Sequence, residues 1–165
     1  MGIRTFITSI LARHVENSGF SHQYEIDSKS KRYPARRFYR EDLGIEFKSS
    51  MEANYARFME YLGVKWEYES EVFHFPTKAN LVYKTNNSKA FNQNPFGISG
   101  YVPDFKISAG RYIWYVEVKG YMDNISAEKI RLFHIFYPYL ELNLVTPKEY
   151  RLIQKYYANK IRKWE

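Results

Sequence analysis

Asp104, in Tyr101-Val102-Pro103-Asp104-Phe105, and the pair Glu117 and Lys119, in Glu117-Val118-Lys119-Gly120, have the types and spacing to do chemistry together. Residues two apart on a strand share a face. By that rule Val102, Asp104 and Lys106 lie on one side of a first strand, with Pro103, Phe105 and Ile107 on the other, and Ile113, Tyr115, Glu117 and Lys119 lie on one side of a second. If Asp104 and Glu117 share a sheet face, two carboxylates and an ammonium converge. Carboxylates that close repel each other unless a cation stands between them. Hard oxygen ligands of this kind suit magnesium or manganese, which leave positions for water and a substrate phosphate. Lys119 beside such an ion can orient a water or help to deprotonate it, which is a recipe for phosphodiester hydrolysis. The same residues would also serve as a structural salt bridge across a hairpin, and Glu46-Phe47-Lys48 shows that Glu-x-Lys alone is not distinctive.

The elements that must position these groups follow from periodicity. Ser49-Ser50-Met51-Glu52 has the form of a capping box, and Met51, Tyr55, Phe58, Met59 and Leu62 then fall at helical spacing before Gly63, which predicts a helix over 50–62. Glu52 stands at the edge of that apolar stripe, so it is either a third acid for the same site or simply the cap. Val64 to Phe75 reads as one or two strands ended by Pro76. Tyr101–Ile107 and Arg111–Gly120, joined by Ser108-Ala109-Gly110, read as a hairpin. Ser126 caps a predicted helix with Ile130, Phe133, His134 and Tyr137 on one face, ending before Pro138. Leu140, Leu142 and Leu144 mark a further strand, and Thr146-Pro147-Lys148-Glu149 opens a C-terminal helix with Tyr150, Ile153 and Tyr157 inward. The sum is a single mixed α/β domain with a central β-sheet flanked by helices.

Taken together, Ser50-Met51-Glu52 with its helix, Leu62-Gly63-Val64-Lys65-Trp66-Glu67-Tyr68-Glu69, Tyr101-Val102-Pro103-Asp104-Phe105 and Glu117-Val118-Lys119-Gly120 resemble the PD-(D/E)xK nuclease superfamily. Within it the pattern is most similar to junction-resolving enzymes of the phage endonuclease I type, over about residues 47–146. The resemblance implies a restriction-endonuclease-like fold and a Mg²⁺-dependent endodeoxyribonuclease, with Mn²⁺ as a substitute. It implies that Glu52, Asp104 and Glu117 bind the metal, that the Val118 main chain is a further ligand, and that Lys119 acts in the hydrolysis. DNA is then the partner, branched or junction DNA the expected substrate, and a homodimer through N-terminal elements is plausible. Transposition-type or sequence-specific cleavage is the alternative within the superfamily, and a non-catalytic nucleic-acid-binding domain is the alternative outside it. Two departures bear on substrate choice: the segment 77–100 is longer than the family pattern, and residues 1–46 have no counterpart in it.

Charge and composition agree with a polyanionic partner. The chain has 165 residues, a formal charge of +7 from 25 Lys and Arg against 18 Asp and Glu, and 45% hydrophobic content, which is enough apolar surface for a folded domain. From Lys29 to Arg40 six of twelve residues are basic (Lys29, Lys31, Arg32, Arg36, Arg37 and Arg40), with Tyr33, Phe38 and Tyr39 interleaved. This arm and Lys129, on the helix after Ser126, are the expected DNA contacts, although a basic run is as often a solvated loop. With no cysteine and only four histidines, disulfides, thiol catalysis and Cys-based zinc sites are excluded. The apolar run Phe6–Ala12 is interrupted by Thr8 and Ser9 and closed by Arg13-His14, so residues 3–17 read as a short amphipathic helix and not as a signal peptide or membrane span. The expected organisation is an N-terminal helix and basic arm over 1–46 and the nuclease domain over 47–165, in the cytoplasm of a bacterial or phage-infected cell.

Overall fold

Phe105 and Ile107 alternate with Lys106 and Ser108, and this two-residue period makes the central hairpin of the protein. The structure, a computed structural model, describes residues 36–77, 94 and 96–165. The helix expected over 3–17, the arm residues Lys29, Lys31 and Arg32, and most of the segment 77–100 lie outside the described residues. In chain order the elements are β1 (Phe38–Arg40), β2 (Ile45–Phe47), α1 (Ser50–Tyr61), β3 (Lys65–Tyr68), β4 (Phe73–His74), β5 (Gly100–Tyr101), β6 (Phe105–Ala109), β7 (Tyr112–Val118), α2 (Asn124–Phe136), β8 (Leu142–Val145) and α3 (Pro147–Tyr157), followed by a 3-10 turn, Ala158–Lys160.

Four strands form a mixed sheet in the order β3-β6-β7-β8, antiparallel except for the parallel pair β7 and β8. Parallel neighbours need a crossover, and α2 supplies it. One face of the sheet presents Phe105, Ile107, Trp114, Val116 and Val118 to Ala53, Phe58 and Met59 of α1 and Ile153 of α3. The other presents Tyr115, Leu142 and Leu144 to Ile130, Leu132 and Phe133 of α2. Phe105 is fully buried among the rings of Phe47, Tyr55, Trp66 and Tyr68, so Phe105→Ala would cost about 3–5 kcal/mol. Among the described residues no helix is long and apolar enough to cross a membrane.

The local signals map onto the observed ends with some corrections. α1 starts at the Ser49 cap and stops at Leu62, where Gly63 takes the left-handed conformation (φ 67°) that a side chain would resist. The Thr146/Glu149 capping box opens α3 as expected. The cap of α2 is Asp123 and not Ser126, because the Asp123 carboxylate reaches forward to accept the Ser126 N–H at 2.9 Å. The hairpin turn is tighter than expected: β6 runs on through Ala109, and Gly110 (φ 63°) and Arg111 alone make the connection. Tyr101 belongs to the separate strand β5, paired with β4, because Pro103 lacks the N–H that a continuous ladder would need. The end of the arm is not a free loop. Residues 38–47 form the hairpin β1–β2, with Leu43, Ile45 and Phe47 packed on the first core, so the boundary placed between 46 and 47 falls inside β2.

Candidate functional site

Asp104 sits at the break before β6, and the hairpin decides what it faces. Phe105 pairs with Val116, so one step further along the antiparallel register Asp104 stands opposite Glu117. Opposite residues of a strand pair point to the same face, so the expectation that Asp104, Glu117 and Lys119 share a face agrees with this register. The backbone holds Asp104 on both sides: its carbonyl accepts the Glu69 N–H at 2.9 Å, and its Oδ2 accepts the Val118 N–H at 2.8 Å. Glu52 comes from the first turn of α1 and reaches the same end of the sheet from the other face.

All three acids are buried, at 7% exposure for Glu52, 6% for Asp104 and 4% for Glu117, which is unusual enough for carboxylates to require partners. Glu117 has one on each oxygen: the Lys119 ammonium at 2.6 Å from Oε1, and the Tyr101 hydroxyl, which donates to Oε2 at 2.7 Å. Glu52 accepts from the Ser49 hydroxyl at 2.9 Å, the Lys48 N–H at 3.1 Å and the Tyr68 hydroxyl at 2.5 Å. The Ser49 hydroxyl in turn accepts the Glu52 N–H at 3.2 Å, which is half of the expected capping box, while the Glu52 carboxylate takes the Lys48 N–H in place of the Ser49 N–H.

The charges do not balance. Burial, then the negative charges of Glu117 and Glu52, push the Asp104 carboxyl well above the usual carboxylate range, against the opposing pull of the Val118 N–H and Lys119. Burial works to lower the Lys119 pKa, but Glu117, Asp104 and Asp123 outweigh it and hold the ammonium above its ordinary value. Lys119 therefore stays protonated at neutral pH. Burial and the neighbouring carboxylates raise Tyr101 and Tyr68 as well, so both phenols remain donors.

The donor set of hard carboxylate oxygens with surplus negative charge suits a divalent cation in its chemistry. Among the described residues, however, no three His, Cys, Asp or Glu side chains are arranged so that they could hold a metal ion. Glu117 already has both oxygens engaged, so Lys119 holds the position of counter-cation.

The expected DNA-binding residues separate from one another. Arg36 is exposed, and Lys129 lies half-buried on α2. Arg37 is paired with Glu69, which also takes the Lys48 ammonium. Arg40 is bound through two nitrogens to Glu165, at 2.5 and 2.8 Å. Neither Arg37 nor Arg40 is therefore a loose cation. Tyr68 and Tyr101, whose hydroxyls hold two of the three acids, received no role from the sequence. Each lies 16 positions from its carboxylate, on a different element, so no local spacing could have pointed to the contact. No protein family matches the chain, and no curated protein or solved structure matches it either.

Proposed function

We propose that the chain is a metal-dependent DNA endonuclease of the PD-(D/E)xK type with a restriction-endonuclease-like core, acting on branched or junction DNA. One observation carries the reading: the hairpin register sets Asp104 opposite Glu117, with the Lys119 ammonium on Glu117 and the buried Glu52 at the same end of the sheet. Asp104, Glu117 and Glu52, with the Val118 main chain, would hold Mg²⁺ or Mn²⁺ only after their side chains rearrange, since as they stand no three of them are arranged to do so. When bound, such an ion supplies positive charge beside a scissile phosphate and makes water a stronger acid. The rest is the work of the chain. The Val118 N–H fixes one Asp104 oxygen. Tyr101 and Tyr68 orient Glu117 and Glu52. Lys119, whose ammonium holds Glu117, would orient a water and stabilise charge on the phosphate as a protonated amine.

The test is Mg²⁺-dependent nicking of supercoiled plasmid, followed by a panel of linear, single-stranded, nicked, flapped and four-way junction DNA. Cleavage that needs Mg²⁺ or Mn²⁺, stops with chelator and favours the junction agrees with the reading, and cleavage indifferent to chelator overturns it. Ca²⁺, which prefers more ligands and looser geometry, is expected to support DNA binding without efficient hydrolysis. A second reading, a DNA-binding domain without catalysis, is favoured by the engagement of both Glu117 oxygens inside the protein, which would make the acids and Lys119 a structural network. DNA binding with no cleavage under any divalent ion would select it.

A further inference from the structure

Two of the described arm cations are already committed to carboxylates. A lysine or arginine already paired with a carboxylate must break that pair before it neutralises a phosphate. Arg37 and Arg40 are in this position, held by Glu69 and Glu165. On α3, Lys148, Arg151 and Lys155 are exposed, and no ion pair among the described residues engages any of them. The two nearby acids are already bound: Glu149 closes the capping box on Thr146, and Glu165 faces Arg40 and Arg57.

The three cations recur at spacings of three and four, so they line one side of the helix. Leu152 and Tyr156, 51% and 52% exposed, flank them, and the Lys155 ammonium lies over the Tyr156 ring at 5.5 Å from its centre. Ile153 on the opposite side is buried in the core, so packing fixes which side of α3 faces out. From Lys148 to Lys155 the helix rises about 10 Å, which matches about three phosphate steps of one strand of duplex DNA.

The start of α3 lies at the same end of the sheet as the candidate site, although α3 packs on the face opposite to the one that Glu117 and Lys119 occupy. β8 runs parallel to β7, the Lys119 N–H donates to the Val145 carbonyl at 3.0 Å, and α3 begins directly after Val145 and its cap Thr146. Lys148 therefore lies three residues from the strand end that is bonded to Lys119.

We propose that the outer side of α3 is a duplex-DNA surface on which Lys148, Arg151 and Lys155 each neutralise a backbone phosphate. The identification of the partner as DNA rests on the nuclease reading, whereas the surface itself rests on unpaired charge, spacing and position. It adds to that reading a contact surface outside the basic arm.

The test measures binding of a 30-base-pair duplex by fluorescence anisotropy in chelator, so that no cleavage occurs, across about 50 to 200 mM salt. Each phosphate contact contributes about −0.9 to the slope of log K against log salt. The triple variant K148Q/R151Q/K155Q is expected to flatten the slope by about 2.7, removing about 40-fold of the affinity loss over that salt range. Lys148→Arg with Lys155→Arg keeps the charges and should keep the slope. Arg111→Gln, at the hairpin turn on the opposite end of β7, should change it little. An unchanged slope in the triple variant overturns the α3 surface, and so does an equal effect of Arg111→Gln. If the wild type nicks plasmid while the triple variant keeps its slope, the surface falls and the nuclease reading stands. If the slope flattens but no divalent ion supports cleavage, the nuclease reading falls and the surface stands. If the wild type shows no salt-dependent duplex binding, the surface is overturned, and the nuclease reading stands or falls by plasmid nicking alone.

Discussion

At Arg57 two carboxylates, Asp42 and Glu165, meet two arginines; around Asp104 three buried acids, Asp104, Glu117 and Glu52, lie with one ammonium, Lys119, which is bound to Glu117. In the first group Arg57 is bound to Asp42 at 2.7 and 3.1 Å and to Glu165 at 3.0 Å, and Arg40 holds Glu165 from the other side. The hydrogen bond from Arg57 holds Asp42 below its ordinary pKa, and the one from Arg40 does the same for Glu165. In the second group burial and like charge hold Asp104 above its ordinary value instead. Arg57 and the three acids of the second group are buried, whereas Asp42 and Glu165 reach solvent; one group is balanced and the other carries surplus negative charge. A balanced group ties the chain together: Asn54 and Arg57 of α1, Asp42 of the β1–β2 hairpin and Glu165 form one connected set. A surplus of buried negative charge costs stability, and a group that bears such a cost is suited to a ligand that removes it.

The largest effect that would test this contrast is on cleavage. Asp104→Asn or Glu117→Gln removes an anionic ligand from the unbalanced group and should lower plasmid nicking by about 10³-fold or more, while duplex binding persists. Full activity in either variant would make the surplus charge irrelevant to function. Glu52→Gln sharpens the point: a ligand role predicts impaired cleavage, and a cap role alone predicts a loss of about 1 kcal/mol or less in stability at an unchanged rate.

Next in size is the balanced group. Arg57→Met leaves Asp42 and Glu165 without the cation between them, and thermal or denaturant unfolding should show a loss of about 3 kcal/mol, at the low end for a broken buried pair because both carboxylates reach solvent. The metal dependence of nicking in the folded fraction should be unchanged. A stability-neutral Arg57→Met would remove the distinction between the two groups.

Smaller again is the effect of the tyrosine donors. Tyr101→Phe keeps a ring packed against Phe133 and loses only the hydroxyl on Glu117, so about 10- to 100-fold in metal affinity or cleavage is expected, read by metal titration of the rate and by Tb³⁺ luminescence. Tyr115→Phe is the control, since its hydroxyl serves Glu71 at 2.9 Å, and it should change neither.

The smallest effect is on the pH dependence of Tm, and the two groups should differ in sign. Asp42 and Glu165 have depressed folded pKa values, so their stabilisation is present above the unfolded carboxylate range, near pH 4, and is lost as pH falls through the folded values. Asp104 has a raised value, so its favourable contribution is present below about pH 3.9 and is lost as pH rises through the folded value. Asp104→Asn, which still accepts from Val118, should therefore raise Tm near pH 7 and give little gain near pH 3. A Tm difference between wild type and Asp104→Asn that does not vary with pH would show that Asp104 bears no such strain.

Much of the balanced and unbalanced architecture was open to a reader of the sequence, but unevenly. The start and stop of α1, the capping box of α3, the central hairpin and the shared face of Asp104, Glu117 and Lys119 were legible because each depends on periodicity or on contacts within a few residues. The displaced cap at Asp123, three residues before Ser126, and the two-residue turn Gly110-Arg111 were near misses of the same local kind: neighbouring residues could fill the same role, and backbone geometry chose between them. The split of Tyr101 from β6 was foreshadowed by Pro103, whose missing N–H interrupts the ladder.

What the sequence by itself determined, then, is which residue types lie on which face of each element, since side-chain direction repeats every two residues on a strand and every 3.6 on a helix. Only the tertiary structure decided which charges are compensated. Arg37 and Glu69 are 32 positions apart and Arg40 and Glu165 are 125 apart, so these two arm cations were assigned to internal pairs by contacts that no local pattern announces. The tyrosine hydroxyls on Glu52 and Glu117, and the exposed cations left along α3, were decided in the same way. The order β3-β6-β7-β8, with its one parallel pair, brings distant segments to the same end of the sheet, and electrostatic balance is a property of that end as a whole.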